Sequence, residues 1–208
     1  MSNRKWEEWW TKEAPANFRR FPASLAKSHE TNKVIAREVA KIGGTVLDVG
    51  CATGITYEYI KPTGVKYTGF DFTEKFLTQA RKLNPEIDVG HGSAFNLPFE
   101  DNSFDTSFCK AVLEHQHPKE YHLIVRELVR VAKKQVILAF FHRPRDTEII
   151  RFVEEEQLYS NTYKKDDVIA LIKSLNGFKK LEIVENLGSR KDAVYILDIK
   201  TDDRRHKK

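Results

Sequence analysis

One run of nine residues constrains the fold more than any other part of the chain: residues 46–54, with the sequence VLDVGCATG. Apolar residues surround Asp48, and a glycine-containing turn follows directly. This pattern predicts a buried strand that ends in a loop, and Gly50 and Gly54 allow the loop to approach a ligand closely or to adopt positive φ. Open α/β sheets bind ligands at the carboxyl ends of their strands, so the run predicts a binding site there.

Strand and helix patterns alternate through the first two thirds of the chain. After a helical pattern that Gly43 and Gly44 end, strands are predicted at residues 45–49, 66–70, 87–89, 104–109 and 135–141. Helices are predicted between them at residues 55–60, 74–83 and 118–132. Because β-α-β units build parallel sheets, the pattern predicts an α/β, Rossmann-like, doubly wound sheet, mostly parallel, with helices on both faces.

The last third departs from this alternation. Helices are predicted at residues 145–158 and 164–175, followed by strands at 178–184 and 193–199. Two strands without a crossover helix between them can pair antiparallel, so we expect an antiparallel hairpin at the sheet edge.

A chain of 208 residues is expected to form one domain with one core. Within it, residues 1–43 are interpreted as an N-terminal helical lid or cap rich in aromatic side chains, and residues 44–141 as the binding core. Residues 142–199 would supply variable helices and edge strands on the substrate side, and residues 200–208 a basic tail.

The net charge of +5 comes from the two ends of the chain. Residues 1–44 hold nine basic and five acidic residues and residues 200–208 hold five and two, so the remainder is about neutral. A solvated tail is favoured over a nucleic-acid footprint. The two cysteines lie far apart, which indicates neither a disulfide framework nor a zinc site, and we expect no metal. With no long apolar run, a cytoplasmic protein without membrane insertion is expected.

Two common nucleotide-binding loops fit the run at 46–54 poorly. A dinucleotide-binding fingerprint needs GxGxxG, but Ala52 separates the two glycines here. A P-loop needs Lys followed by Ser or Thr after the second glycine, where this chain has Ile55 and Thr56. The dinucleotide hypothesis is therefore weakened and the P-loop is excluded.

Four ordered segments instead resemble the class I S-adenosylmethionine-dependent methyltransferases. The similarity is to the small methyltransferase-domain group that includes ubiquinone and menaquinone biosynthesis enzymes, and it spans about residues 44–141. The matching segments are the loop at residues 48–54, Asp71, Ser93-Ala94 followed by residues 96–99 (NLPF), and residues 104–105 with the strand that leads to residues 112–115 (VLEH).

The resemblance implies S-adenosyl-L-methionine as cofactor and gives each segment a role. Asp71 would accept hydrogen bonds from both ribose hydroxyls, and Phe72 would pack on the adenine face. An N-cap of the next helix is the structural alternative for Asp71. The methionine end of the cofactor would lie against the loop, whose contacting residues are Gly50, Cys51, Ala52 and Gly54, with Asp48 supplying negative charge.

Three positions depart from the family pattern. Many relatives have aspartate where this chain has Ser93, so adenine recognition would be shared with the Ala94 backbone. Ala52 replaces the middle glycine, and its methyl group is tolerable only if its φ is negative. Lys110 lies where the family uses backbone to hold the methionine ammonium, so its side chain is expected to turn away.

The implied reaction is in-line methyl transfer to an oxygen or nitrogen. His115 is the candidate catalytic base, with His117 and His142 as further candidates, although a hydrogen bond to the neighbouring loop is the more ordinary role for His115. Arg19, Arg20, Arg143 and Arg145 would suit an anionic acceptor, and ion pairs with residues 154–156 are the alternative.

A small-molecule methyl acceptor is the favoured partner, and the sequence leaves the oligomeric state open. Two alternatives remain. One is an RNA or protein methyltransferase that uses the basic ends of the chain, although the absence of an NPPY-type motif after the fourth strand disfavours methylation of a base nitrogen. The other is a catalytically silent subunit that binds the cofactor.

Overall fold

The computed structural model describes residues 29–154 and 158–200 of the chain, which hold five α-helices and nine β-strands. The helices are α1 His29–Ile42, α2 Tyr57–Ile60, α3 Glu74–Leu83, α4 Tyr121–Val131 and α5 Lys165–Ser174. The strands are β1 Thr45–Val49, β2 Lys66–Asp71, β3 Val89–His91, β4 Phe104–Lys110, β5 Ala132–Phe140, β6 Phe152–Val153, β7 Leu158–Tyr159, β8 Phe178–Leu187 and β9 Asp192–Ile199.

Seven strands form one sheet in the order β3-β2-β1-β4-β5-β9-β8. The first five are parallel, and β9 pairs antiparallel with both β5 and β8. The predicted doubly wound sheet with an antiparallel edge pair is thus confirmed. The strand order reverses between β1 and β4, and the crevice at such a switch point is where open α/β sheets bind ligands.

Helices cover both faces of the sheet because the strand side chains alternate between two apolar clusters. Leu47 and Val49 of β1 point to the face covered by α4 and α5, where Leu128 and Ile172 are buried. Val46, one position away, points to the opposite face, which packs against α1 and α2. Burial on both faces explains the continuous apolar run at residues 136–140 of β5.

Local signals set several element ends. The helix α1 ends where Gly43 and Gly44 adopt positive φ of 66° and 73°, and the Gly43 amide donates to the Val39 carbonyl at 2.9 Å. The short turn after α2 ends in the same way at Gly64, with φ 73°. Glycine adopts this conformation without the steric cost of a Cβ atom, so the predicted stop at Gly43 and Gly44 is confirmed.

The helix predicted for residues 145–158 is wrong. The backbones of Ile149 and Thr162 exchange two hydrogen bonds of 2.8 Å, and β6 pairs antiparallel with β7. Ile149, Ile150 and Phe152 are 51%, 44% and 45% exposed, so the apolar residues do not form one buried helical face. Pairing with residues about ten positions further along the chain replaces the helix.

No helix in the described part of the chain combines the length and the apolar character needed to cross a bilayer.

Candidate functional site

The residues singled out by sequence converge on the carboxyl edge of the central strands. Val49 of β1 lies beside Phe70 of β2 and Cys109 of β4, so the segments that follow these three strands begin at the same level. The segment after β5 starts next to them, because Lys110 pairs with Ala139. The parallel strands are in register at their carboxyl ends. The glycine loop, Asp71 and the candidate bases are therefore brought to the same edge of the sheet.

Hydrogen bonds between backbone groups hold the loop after β1 in place. Gly50 and Cys51 both donate their amides to the Phe70 carbonyl, at 2.7 and 3.3 Å, and the Gly54 amide donates to the Cys51 carbonyl at 2.9 Å. Gly50 and Gly54 have φ of 79° and 77°, and a Cβ on Gly50 would lie 2.3 Å from Cγ2 of Val112. Both glycines are required by this geometry.

Ala52 does not have the negative φ that its methyl group was expected to require. Its φ is 48°, in the left-handed region that costs an L-residue roughly 1–2 kcal/mol. Its amide donates to Oδ2 of Asp71 at 2.9 Å, and this bond holds the residue in place. The expectation is corrected because a tertiary hydrogen bond, rather than the local preference of alanine, sets the conformation.

We expect Ala52→Gly to raise the free energy of unfolding by about 0.5 to 1 kcal/mol. The left-handed strain disappears, while glycine loses more chain entropy on folding and offsets part of the gain. Urea unfolding of the variant and the parent measures the difference. The control Ala36→Gly, within α1, should destabilise by roughly 1 kcal/mol. A destabilised Ala52→Gly protein would contradict the strain at this position.

Asp71 joins the loop to the start of α3. It is 6% exposed, and its two oxygens accept from separate backbone amides: Oδ2 from Ala52 at 2.9 Å and Oδ1 from Thr73 at 2.8 Å. Burial raises its pKa, and these amide bonds act in the opposite direction. The capping alternative is not borne out, because the N-cap of α3 is Thr73 and Asp71 accepts the amide of that residue, which precedes the first helical turn. A carboxylate has about four acceptor sites, so further donors can still bind.

Asp48 and Lys110 lie in a buried polar cluster on the α1 face of the sheet. Tyr67 donates to Oδ2 of Asp48 at 2.7 Å, and Nζ of Lys110 donates to Oδ1 of Asn32 at 2.7 Å. Burial raises the pKa of Asp48, whereas the positive charge of Lys110 opposes that rise. Burial lowers the pKa of Lys110, and Asp48 opposes that shift. The lysine thus provides an internal counter-ion for the acid at the end of β1.

The segments expected to contact an adenine ring follow β2 and β3. The carbonyl of Phe72 accepts from Nε2 of His91 at 2.9 Å, which joins the two segments. The hydroxyl of Ser93 accepts from the Phe95 amide at 3.3 Å, and Ala94 packs against the buried core. Phe72, Ser93 and Ala94 are therefore carried on connected loops at the same edge as Asp71.

Cys51 is a buried thiol within this loop. It is 5% exposed, and burial raises its pKa well above the ordinary value, with the charges of Asp48 and Asp71 acting in the same direction. A side chain on Gly69 would meet its Sγ at 2.8 Å, so the absence of a side chain there makes room for the sulfur. The contribution of Cys51 is packing rather than thiolate chemistry.

His115 lies in the turn after β4, with its ring 5.4 Å from that of Phe141. Its Nδ1 lies 2.8 Å from the carbonyl oxygen of Tyr159, which can only accept a hydrogen bond. Nδ1 therefore carries the proton in the neutral ring, and Nε2 has the lone pair. Burial lowers the pKa of His115 to about 4, so the ring is neutral at pH 7. A hydrogen bond to a neighbouring segment, the more ordinary role expected for His115, is thus present, although its acceptor lies in β7 and not in a loop.

Sequence reasoning did not single out Glu114, although its environment is the most unusual at this edge. The side chain is fully buried, and Oε1 accepts from the amides of Phe141 and His142 at 2.7 and 3.4 Å. Oε2 is buried without a hydrogen-bond partner among the described residues. Burial raises the pKa of Glu114 to about 7. The local sequence carried no signal for this, because the enclosing residues come from after β5.

The segment after β5 places His142 within hydrogen-bonding distance, 2.9 Å, of the Ser160 hydroxyl. Burial lowers its pKa, and the charges of Arg190 and Arg145 lower it further. Arg143 donates to Oδ1 of Asn186 at 2.6 Å. The ring of His117 packs edge-on against Tyr159, 5.4 Å away, and faces the β7 side. The candidates Arg19 and Arg20 and the aromatic side chains of residues 1–28 lie outside the described residues, as do residues 155–157 and 201–208.

Residues 47–140 match a family model described as a methyltransferase domain. These residues include the glycine loop, Asp71, the Ser93 segment and β4 in the order that the resemblance requires. This stretch, a little under half of the chain, therefore has the pattern of a methyltransferase domain. The resemblance found in the sequence is confirmed at the level of the family.

The curated proteins that this chain resembles include several demethylmenaquinone methyltransferases. The chain is 35% identical over 124 residues to a demethylmenaquinone methyltransferase of Paenarthrobacter aurescens. The aligned region covers 58% of this chain and 48% of that protein. It is 37% identical over 100 residues to the enzyme of the same name from Listeria welshimeri, covering 44% of this chain and 41% of that protein. The chain thus spans about half the length of the curated relatives that it matches.

Solved structures share the fold across nearly the whole chain. Magnesium protoporphyrin IX methyltransferase of Synechocystis, solved with bound S-adenosylhomocysteine, superposes with a TM-score of 0.73 at 17% identity, covering 93% of this chain and 97% of that one. A Burkholderia thailandensis didemethyltoxoflavin methyltransferase gives 0.70 at 15% identity, covering 90% and 84%. Both likenesses concern the fold.

Proposed function

We propose that this chain is an S-adenosylmethionine-dependent methyltransferase that methylates an oxygen or nitrogen of a small, anionic metabolite. The observation that carries the proposal is the hydrogen bond between Ala52 and Asp71. It joins the glycine loop after β1 to the buried acid after β2, at the switch point of a sheet whose central residues match the methyltransferase domain.

The chemistry of the side chains at this edge fits the adenosine part of the cofactor. Ribose hydroxyls and an adenine amino group are hydrogen-bond donors, and Asp71 and Ser93 offer a carboxylate and a hydroxyl as acceptors. Phe72 would supply an aromatic face for the adenine ring, and the Ala94 backbone would lie at the ring edge. Acceptors and an aromatic ring on connected loops support this arrangement.

The methionine end of the cofactor would lie along the loop from Gly50 to Gly54. The amides of Gly50, Cys51, Ala52 and Gly54 already donate within the protein, so the loop would offer mainly carbonyl oxygens to the cofactor ammonium. Asp48 and its counter-ion Lys110 would set the local charge beneath it. An acid and a lysine that balance each other favour a zwitterionic ligand end over a ligand of one charge.

The bound cofactor would supply a methyl group on a positively charged sulfur. The task left to the protein is orientation, because holding two reactants in line can supply about 7 to 11 kcal/mol of the barrier reduction in favourable cases. A loop fixed by internal hydrogen bonds and a buried sheet edge suit that task. Little acid or base chemistry is needed unless the acceptor must lose a proton.

His115 is our candidate for removing such a proton. Its ring is neutral at pH 7, and the bond from Nδ1 to the Tyr159 carbonyl leaves the lone pair on Nε2. A base whose pKa is about 4 is weak, so it would assist late in the transfer rather than ionise the acceptor beforehand. A hydroxyl acceptor would need this help more than an amine that is already neutral.

Calorimetry followed by product detection tests the proposed function. We expect S-adenosylmethionine and S-adenosylhomocysteine to bind the full chain and NAD not to bind. Incubation with methyl-labelled cofactor should then label a compound in a fraction of small metabolites and not in RNA or protein. Binding of NAD alone, or label only in RNA, would contradict the proposal, and binding without any labelled product would favour a silent subunit.

A further inference from the structure

A guanidinium group reaches the candidate acceptor side of the site from the far edge of the sheet. Arg190 belongs to the connection between β8 and β9, and its guanidinium lies 5.5 Å from the ring centre of Phe141, which directly follows β5. The same ring lies 5.4 Å from that of His115 and 4.1 Å from that of His142. Arg190 therefore faces the aromatic centre of the residues that follow β4 and β5.

Two ionic hydrogen bonds fix the direction of this guanidinium. Its Nε and Nη2 donate to the two oxygens of Asp192 at 3.2 and 3.0 Å. Asp192 is 1% exposed and also accepts from the Thr31 hydroxyl of α1 at 2.8 Å. Because Asp192 accepts hydrogen bonds from Thr31 as well as from Arg190, its carboxylate is fixed in position and fixes the guanidinium. The arginine is thus oriented in advance, which lowers the entropy that a ligand must offset when it binds.

The guanidinium retains hydrogen-bonding capacity toward the site. Arg190 has five N–H donors, and in the described part of the chain its Nη1 makes no hydrogen bond. The side chain is 26% exposed, so a ligand at the edge can reach it. A planar group that is held on one side by a carboxylate and stacked on an aromatic ring can bind a second anion with its other side.

The charge of Arg190 acts on the ends of both β4 and β5. It lowers the pKa of Lys110, at the end of β4, and that of His142, just after β5. Arg145 and Arg151 also lower the pKa of His142, against the opposite effect of Asp192. Several positive groups therefore act on the small region around Phe141, where a negative group would be stabilised.

We propose that Arg190 binds the anionic group, carboxylate or phosphate, of the methyl acceptor, while Phe141 packs against the apolar part of that molecule. Arg190 would then be a specificity-determining residue that holds the acceptor beside His115. This inference rests on the proposed methyltransferase function and deepens it, because it assigns the acceptor to the class of compact organic acids.

Small aromatic probes test this assignment directly. Benzoate, phenyl phosphate and the neutral benzamide are titrated against the protein saturated with S-adenosylhomocysteine, and ligand-observed NMR gives the dissociation constants. We expect both anions, and not benzamide, to bind the parent. Arg190→Gln should weaken the anions by about 10- to 100-fold, which is the effect of one charge-assisted hydrogen bond.

Two further variants complete the test. Arg37→Gln removes an exposed arginine of α1 that pairs with Glu38 at 2.9 Å, and it should bind the anions as the parent does. Arg190→Lys keeps a cation beside Asp192, so it guards against misfolding and should show a smaller loss. S-adenosylhomocysteine affinity should be the same in all variants.

Several outcomes would overturn the inference. They are equal affinity of benzoate for Arg190→Gln and the parent, no binding of either anion by the parent, and binding of benzamide as tight as that of benzoate. A short RNA that binds through Arg190 more tightly than either anion would also overturn it. Failure of S-adenosylhomocysteine to bind the parent would instead overturn the proposed function, so the two failures are distinguishable.

Discussion

Replacing Asp71 by alanine should weaken the binding of S-adenosylmethionine and S-adenosylhomocysteine by about 100-fold or more. Two charge-assisted hydrogen bonds to ribose hydroxyls contribute about 1.5–3 kcal/mol each. The carboxylate also holds the amides of Ala52 and Thr73, so its loss releases the glycine loop as well as the ribose contacts. Calorimetry with either ligand measures the change.

A conservative variant and a distant one make this experiment decisive. Asp71→Asn keeps one carbonyl acceptor and should bind with intermediate affinity. Asp88→Ala removes an exposed carboxylate that accepts from Thr68 at 2.8 Å, and its affinity should equal that of the parent. Thermal unfolding of each protein separates loss of binding from loss of fold. An Asp71→Ala protein that binds as tightly as the parent would remove the ribose role of this acid.

Elements whose signals are local were predicted well. The helix α3 begins and ends at the predicted residues, because Phe76, Leu77 and Ala80 form its buried face and Asn84 precedes a proline. The order of strands and helices through residue 140 follows from the same kind of pattern. The antiparallel edge followed from the absence of a crossover between β8 and β9.

Features set by distant contacts were not predicted. The strand β3 starts at Val89 instead of residue 87, because its pairing with β2 begins opposite Gly69, whereas the Ile87 amide donates to the Asn84 carbonyl in a turn. Ala52 adopts positive φ because Asp71, nineteen positions later, accepts from its amide. The segment that includes Ile149 pairs with residues near Thr162 and is not a helix. In each case a long-range contact overrides a local preference, and one sequence does not display such contacts.

The residues of the candidate site also fall into those that a local sequence pattern reveals and those that depend on distant contacts. Asp71 and the loop glycines could be found because strand ends carry them in a recognisable order. Glu114 and Arg190 could not, since their significance depends on Phe141, His142 and Asp192 folding around them. A glutamate in a turn and an arginine in a hairpin have no distinctive sequence signal, and only their enclosure reveals a buried carboxyl group and an oriented guanidinium.

Glu114→Gln should make the protein more stable above neutral pH. The pKa of Glu114 is raised from 4.5 to about 7 by burial, so between these values the folded protein binds a proton that the unfolded chain releases. Its contribution to the free energy of unfolding therefore falls as the pH rises through this window. The amide cannot ionise, its oxygen can replace Oε1 as acceptor from the Phe141 amide, and its nitrogen would occupy the position of the unpartnered Oε2.

The difference in unfolding free energy between Glu114→Gln and the parent isolates the contribution of the Glu114 carboxyl group. Burial also raises the pKa of Asp48 and lowers that of His115, but both groups are present in both proteins and their contributions cancel. We expect the difference to grow by about 2 kcal/mol in favour of Glu114→Gln between pH 5 and pH 8, measured by urea unfolding. Glu182→Gln, at a side chain that is 52% exposed, should show no such growth.

A pH-independent difference for Glu114→Gln would mean that the carboxyl group titrates normally and that its surroundings admit water. The expected growth has a further consequence, because a glutamine at this position would then give the more stable protein at neutral pH. A buried acid that persists at a cost in stability, beside His115 and the end of β5, is typical of a group retained for function. Methyl transfer by the stabilised variant should then be slower than by the parent, and an equal rate would limit Glu114 to a structural role.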